Sequence, residues 1–135
     1  MTIFFCLSCN NPLKSGGPTL VNSWAYVPQS VEVHPLSRFG QKDIVIHVVF
    51  EDGDGFECRA IGTLIVTLSG AQIKNTAKTV ALSNSRTNRE RFDRLTRTYL
   101  FRFSEVPADL SKVQVSVTFT PESGSKLRTN ATIEK

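Results

Sequence analysis

The fold is decided by the stretch Val113–Thr120, VQVSVTFT, in which every second residue is apolar. Successive side chains of a β-strand point to opposite faces, so this alternation predicts a strand with one buried face and one solvated face. The aromatic stretch Thr98–Phe103, TYLFRF, repeats the same two-residue period. We therefore expect Phe101, Val115 and Phe119 to lie together in one dry interior between two facing layers.

Outward from these two stretches, short apolar runs separated by turn residues continue from residue 30 onward. Spacing of this kind is typical of antiparallel sandwiches, and helical periodicity is nearly absent. The run Ile44–Phe50 is apolar on both faces apart from His47, which predicts a strand in the middle of its sheet. The prediction is an all-β protein, an antiparallel β-sandwich of about seven strands with an immunoglobulin-like arrangement.

The composition agrees with one globular domain. The chain has 135 residues, of which 40% are hydrophobic and 21% are charged, and its net charge is +4. This length suits a single core, and this composition argues against a wholly disordered or fibrous chain. We expect a signal-like segment and linker over residues 1–29 and the β-sandwich over residues 30–135. So small a positive excess does not by itself predict an anionic partner.

The three cysteines, Cys6, Cys9 and Cys58, cannot all form intramolecular disulfides, because their number is odd. Cys6 and Cys9 have the C-x-x-C spacing of redox and zinc sites. A redox pair is normally followed by a helix and a structural zinc ion needs four ligands, but turn residues follow Cys9 and no second ligand pair occurs. We therefore predict no metal and no cofactor.

The N-terminal residues resemble the end of a bacterial lipoprotein signal. The apolar run Ile3–Leu7 is followed by Ser8 and Cys9, and then by a polar, turn-rich segment. In such signals the cysteine becomes the lipid-modified first residue of the mature chain. The resemblance therefore implies lipidation at Cys9 and contact with a membrane only through that lipid. The alternative is an N-terminal segment that carries no lipid and stays unstructured.

The acidic segment Asp52–Glu57, DGDGFE, has two interpretations. Asp and Gly form tight turns, because Asp accepts local backbone hydrogen bonds and Gly adopts positive φ. A hard cation such as Ca²⁺ binds several carboxylate oxygens around a glycine-kinked loop, but Phe56 stands where a further oxygen ligand would be needed. We predict the turn, and Ca²⁺ binding stays open.

Arginine dominates residues 86–97, where Glu90 and Asp93 are the only acids. Guanidinium groups form forked hydrogen bonds with phosphate and carboxylate, so a loop of this composition is a candidate site for an acidic glycan or a phosphate-bearing polymer. Nucleic acid is not predicted, because interleaved stacking aromatics and a recognition helix are missing. The alternative is an ordinary solvated loop. The candidate anion-binding residues are Arg86, Arg89, Arg91, Arg94 and Arg97.

No catalytic constellation is recognisable in the sequence. His34 and His47 lie in predicted strands and Cys58 follows a turn, without an orienting acid or base at a familiar spacing. The G-x-S-x-G, P-loop, dinucleotide-binding and H-E-x-x-H patterns do not occur. We predict that the protein is not an enzyme. The remaining catalytic hypothesis is a reactive thiol at Cys58 or in the Cys6/Cys9 pair.

Three segments resemble small single-domain bacterial envelope lipoproteins with an immunoglobulin-like β-sandwich. They are the strand–turn–strand Ile44–Leu68, the stretch Phe92–Phe103 and the closing segment Phe119–Ile133. The resemblance covers residues 20–135 and implies a non-catalytic envelope domain for structural support, adhesion or protein interaction, with no functional residues carried over. The expected partner is a protein or an anionic polymer at the cell envelope. The alternative function is binding of an anionic ligand through the Arg86–Arg97 loop.

Overall fold

The computed structural model describes residues 27–135, which form two antiparallel β-sheets and one short helix. Residues 1–26 lie outside the described part, so the predicted lipidation of Cys9 and the Cys6/Cys9 thiol hypothesis fall there. The elements in chain order are β1 (Ser30–Val33), β2 (Arg38–Phe39), β3 (Ile44–Glu51), β4 (Glu57–Cys58), β5 (Gly62–Gly70), β6 (Ile73–Ala81), α1 (Ser85–Arg91), β7 (Phe92–Asp93), β8 (Thr98–Phe103), β9 (Lys112–Pro121) and β10 (Leu127–Glu134).

The first sheet is built around β3. One edge of β3 pairs with β1 and β2, the other edge pairs with β8 and β4, and β7 pairs with the far side of β8. Val45, His47 and Val49 are buried on the face of β3 opposite to Ile44, Ile46 and Val48, so both faces of the strand are covered. The prediction of a central strand at Ile44–Phe50 is confirmed.

The second sheet has the strand order β10-β9-β5-β6, and it packs its inner face on the first sheet. Along β9 the apolar residues are buried and the intervening polar residues are more exposed, as the period of two predicts. Phe101, Val115 and Phe119 all lie in the shared core. The ring of Phe119 meets Phe50 of the facing sheet edge-on, with ring centroids 4.8 Å apart. Burial of each such side chain contributes about 1.5–3 kcal/mol. The prediction of an all-β sandwich is confirmed.

Seven of the strands are longer than two residues, and the remaining three, β2, β4 and β7, are two-residue additions to the first sheet. The prediction that residues 86–97 form one loop was wrong, because Ser85–Arg91 is helical and Phe92–Asp93 is a strand. The helix begins where the Asn84 side chain accepts a hydrogen bond from the backbone N–H of Thr87, which caps the first turn. Arginine and glutamate favour a helix, and the buried side chain of Asn88 holds this short segment in place without an apolar repeat.

Candidate functional site

Two turns project from the same end of the sandwich, and the first joins β3 to β4. The Asp52 carboxylate accepts hydrogen bonds from the backbone N–H groups of Asp54, at 2.9 Å, and of Phe56, at 3.0 Å. Gly55 has a φ of 84°, a left-handed conformation that glycine adopts without strain. The side chain of Asp52 thus fixes the backbone of a turn whose Phe56 side chain is 70% exposed.

The second turn, Arg94–Arg97, joins β7 to β8 and is built in the same way. The Asp93 carboxylate accepts a hydrogen bond from the backbone N–H of Leu95, at 2.8 Å, and a longer one from Thr96, at 3.4 Å. The N–H of Arg97 donates to the carbonyl of Asp93 at 2.7 Å, and Arg97 takes a left-handed φ of 58°. The Leu95 side chain is 95% exposed at the tip of this fixed turn.

A contact between Arg97 and Glu57 joins the two turns. Arg97 Nη2 donates to the backbone carbonyl of Glu57 at 2.8 Å, and its Nε lies 3.6 Å from the carboxylate of Glu57. Phe56 precedes Glu57, and Leu95 lies two residues before Arg97, so the contact brings the two exposed apolar residues onto neighbouring turns. We call the turns Asp52–Phe56 and Arg94–Arg97 together the two-turn end.

The described chain also begins beside the two-turn end. The N–H of Gln29 donates to the carbonyl of Glu51 at 2.7 Å, and Ser30 pairs with Glu51 at the start of β1. A Cβ placed on Gly53 would lie 3.7 Å from the side chain of Gln29, so Gln29 packs beside the first turn. The first described residues therefore enter the sandwich at this end.

Helix α1 carries three of the candidate anion-binding arginines. Arg86 and Arg89 are three residues apart and project from the same side of the helix, whereas Arg91 lies about 140° around the axis from Arg86. The guanidinium of Arg91 lies 5.9 Å from the ring centroid of Phe101, where it covers the edge of the core. The structure thus brings Arg86 and Arg89 together and separates Arg91 from them.

Arg94 and Arg97 both lie in the second turn but have different surroundings. Arg94 is exposed next to Leu95, whereas Arg97 is used in the contact with Glu57. Within residues 27–135, no acidic side chain pairs with Arg86, Arg89 or Arg94. The five arginines are therefore divided between a helix and a turn, and they do not form the single loop predicted from the sequence.

The side chain of Asn88 attaches α1 to both sheets. It is fully buried, and its Oδ1 accepts hydrogen bonds from Arg59 Nε at 3.0 Å and from the Tyr99 hydroxyl at 2.9 Å. Its Nδ2 donates to the carbonyls of Ala60, at 2.7 Å, and Leu82, at 2.8 Å. Burial raises the pKa of Tyr99, so its hydroxyl stays protonated and able to donate. All four hydrogen-bonding positions of the amide are used, which fixes the helix that carries Arg86 and Arg89.

The surroundings of Cys58 and of Asp52 bear on the hypotheses of a reactive thiol and of a Ca²⁺ site. Burial, with help from the negative charge of Asp52, raises the pKa of Cys58 to about 11, so the group is a thiol at neutral pH. The Asp52 carboxylate, a candidate Ca²⁺ ligand, is engaged in closing its own turn. In the part of the chain that the structure describes, no group of three or more His, Cys, Asp or Glu residues is placed to hold a metal ion.

The two histidines make local contacts. His47 is buried in β3, and its Nδ1 lies 2.9 Å from the hydroxyl of Thr98. Burial, followed by the charges of His34 and Arg38, lowers the pKa of His47, so the ring is neutral at neutral pH. The Nδ1 of His34 accepts a hydrogen bond from the N–H of Leu36 at 3.1 Å.

The sequence did not predict the roles of three residues in this region, which are Phe56, Leu95 and Asn88. A signal for the first two is present in the sequence, since each follows an Asp by two or four residues in a stretch rich in turn formers. The exposure of their side chains depends on how the two turns meet, which sequence spacing does not report. Asn88 stands among charged residues without any pattern that marks it as buried.

Among residues 27–135, no helix combines the length and apolar character that crossing a membrane requires. Comparison of the chain with protein-family models, with curated proteins and with solved structures finds no match.

Proposed function

We propose that the protein is a non-catalytic interaction domain of the bacterial cell envelope, attached to a membrane by a lipid at Cys9, with the two-turn end as its binding surface. The observation that supports this role best is the pair of exposed apolar residues, Phe56 and Leu95, on adjoining turns. Single exposed apolar side chains are ordinary on protein surfaces, but projecting loops often carry binding residues, and here two adjoining loops each expose one.

The construction of the turns supports the same role. In each turn an Asp carboxylate accepts a hydrogen bond from the N–H of the exposed apolar residue itself, Phe56 in one and Leu95 in the other. Binding by a loop that is already ordered loses less conformational entropy than binding by a mobile loop. Phe56 and Leu95 are thus presented to a partner in a fixed geometry.

The chemical state of the nucleophilic candidate favours a non-catalytic role. Nucleophilic catalysis by cysteine requires a thiolate, and a pKa of about 11 leaves Cys58 protonated at neutral pH. His47, the buried histidine of residues 27–135, is engaged with Thr98 inside the sheet. Binding without turnover is the function that these groups support.

Site-specific photo-crosslinking in cells tests the proposed surface. A photoreactive amino acid replaces Leu95 or Phe56 in the full chain, and Asn130, which is exposed on β10, is the matched control position. We expect crosslinks at the two turn positions and none at Asn130. Crosslinks at Asn130 alone would place the binding surface on the outer face of the second sheet and refute the proposal.

Localisation and attachment are tested separately by fractionation and intact-mass analysis of the native protein. We expect the protein in the envelope fraction with a diacylglyceryl adduct on Cys9, and loss of that fraction in Cys9→Ser. An unmodified full-length chain in the soluble fraction would refute the envelope assignment.

A second candidate function, binding of an acidic glycan or a phosphate-bearing polymer, is favoured by the exposed pair Arg86 and Arg89. Arginines on one side of a helix that Asn88 holds in place present guanidinium groups in a fixed arrangement. Retention on immobilised polyphosphate at low and physiological ionic strength tests this function. The double variant Arg86→Gln/Arg89→Gln should lose retention, whereas Arg128→Gln, on exposed β10, should keep it.

A further inference from the structure

We infer that the two-turn end binds the surface of an anionic lipid bilayer, with Phe56 and Leu95 inserted where the headgroups meet the acyl chains. This inference rests on the proposed interaction role and names the partner of the same surface. The shape of the two-turn end supplies the first argument. Phe56 and Leu95 stand out on separate turns, and a fluid bilayer accepts separate apolar projections without the matching pockets that a protein partner must provide.

The backbone N–H groups at the tips of both turns are hydrogen-bonded within the turns. In the first turn the N–H groups of residues 54, 55 and 56 all donate to oxygens of Asp52. In the second, those of residues 95, 96 and 97 all donate to oxygens of Asp93. Polar groups that enter the interfacial region without a partner cost free energy, so internally bonded turn tips insert more cheaply than open loops.

The charges around the apolar tips complement lipid phosphates. Arg94 immediately precedes Leu95, and Arg86 and Arg89 lie on the helix that leads into the same turn. Basic residues close to an anionic membrane surface add attraction that salt weakens. Asp54 on the first turn and Glu90 on the helix are exposed opposing charges and should reduce the affinity.

The position of the chain start favours the same orientation. Gln29 packs beside Gly53, so the described chain begins next to the first turn. A lipid on Cys9 would tether the domain to the bilayer through the residues that precede Gln29. Such a tether raises the local concentration of the two-turn end at the bilayer.

Insertion is tested with tryptophan fluorescence in the full chain, purified without lipid and carrying Trp24→Phe to remove the natural indole. The variants Leu95→Trp and Phe56→Trp report on the tips, and Leu36→Trp, at another exposed apolar position, is the matched control. The probes are vesicles of brominated phosphatidylcholine with or without phosphatidylglycerol. Because bromine quenches only an indole that enters the acyl region, binding through residues 1–26 alone gives no quenching at the tips.

We expect quenching by phosphatidylglycerol-containing vesicles at positions 95 and 56, at least about threefold larger than at position 36, and weaker quenching without the anionic lipid. Asp54→Asn should tighten the partition of the tips into vesicles, and Arg86→Gln/Arg89→Gln/Arg94→Gln should weaken it, each by about two- to tenfold. The charge-matched control is Lys74→Gln/Lys112→Gln/Arg128→Gln, which removes three exposed basic side chains from the second sheet and should change little.

Equal quenching at positions 95, 56 and 36 would overturn the inference. Crosslinks from Leu95 to a protein in cells, combined with no tip quenching, would also overturn it, while leaving the proposed interaction role intact. Conversely, vesicles could quench the indoles at positions 95 and 56 while the native protein is found only in the soluble fraction of cells. That pair of results would refute the envelope role and support bilayer binding by the two-turn end.

Discussion

Arg97 holds Glu57 by two contacts of different kinds. Its Nη2 donates to the backbone carbonyl of Glu57 at 2.8 Å, whereas the 3.6 Å approach of Nε to the carboxylate is a looser ion pair between half-exposed side chains. Exposed ion pairs contribute little to stability, because water screens them and the long side chains lose entropy. The backbone hydrogen bond is therefore the contact that holds the turns Asp52–Phe56 and Arg94–Arg97 together.

We predict that Arg97→Ala lowers the free energy of unfolding by about 1 kcal/mol and that Glu57→Gln lowers it by less than about 0.5 kcal/mol. In a double-mutant cycle measured by urea unfolding, Arg97→Ala should cost nearly as much in the Glu57→Gln background, because Gln keeps the backbone carbonyl. Arg97→Asn should cost less than Arg97→Ala, since Asn tolerates the left-handed φ of 58°. A coupling energy equal to the whole Arg97→Ala effect would contradict this account.

Asn88 should be the most sensitive polar residue of the described chain. Asn88→Ala leaves the carbonyls of Ala60 and Leu82 and the hydroxyl of Tyr99 without the amide that bonds them in a buried site. We predict a loss of about 3–5 kcal/mol in the free energy of unfolding, measured by urea denaturation.

Two controls separate the Asn88 hydrogen bonds from the effect of shortening a side chain. Asn75→Ala, at an exposed position of β6, should change stability by less than about 0.5 kcal/mol. Asn88→Asp keeps the size of the side chain but replaces both Nδ2 donors with an acceptor, so it should be about as harmful as Asn88→Ala. A stable Asn88→Asp variant would show that the Nδ2 hydrogen bonds to Ala60 and Leu82 contribute little.

The part of the fold that sequence patterning predicted is the part that hydrophobic burial determines. Val113–Phe119 and Tyr99–Phe103 alternate because each strand has one face in the core, and Ile44–Phe50 is apolar throughout because β3 lies in the middle of its sheet. Such periods are local, so they can be read from the chain without knowing its partners.

The candidate site was harder to predict, because polar contacts distant in sequence build it. Helix α1 has no apolar repeat, and one buried amide, Asn88, fixes it. The arginines of residues 86–97 look like one cluster in the sequence, but the chain crosses there from the second sheet to the first and distributes them. Leu95 lies within the arginine segment of the sequence and Phe56 within the acidic turn, and the Arg97–Glu57 contact shows that their turns are neighbours.

The thiol of Cys58 should react slowly with alkylating agents. Its pKa of about 11 lies above the ordinary cysteine value of about 8.5, so the thiolate fraction at neutral pH is about two orders of magnitude smaller than in an unfolded chain. In a Cys6→Ser/Cys9→Ser background, iodoacetamide labelling of the folded protein should be about 100-fold slower than in urea and should rise with pH up to about 11. Rapid labelling of the folded protein at neutral pH would restore the hypothesis of a catalytic thiol.

His47 should make the stability depend on pH below about pH 7. Burial lowers the pKa of the folded-state ring below the unfolded value of about 6.5, so on acidification the unfolded chain takes up a proton before the native protein does. The contribution of His47 to the free energy of unfolding is therefore fully present above pH 7. It is lost as the pH drops below about 6.5, by at most about 1.4 kcal/mol per pH unit.

This contribution is isolated by urea unfolding of the wild type and of His47→Gln at several values between pH 5 and pH 8. That range brackets the ordinary histidine pKa of about 6.5. Gln cannot take up a proton, but its amide can still reach the hydroxyl of Thr98, which lies 2.9 Å from the ring nitrogen of His47. Carboxylates affect both proteins alike, so the difference between the two curves reports the histidine. We expect the variant to be the less stable protein at pH 8 and the gap to narrow toward pH 5. A gap that stays constant, or widens on acidification, would mean that the buried ring takes up its proton as readily as the unfolded chain does.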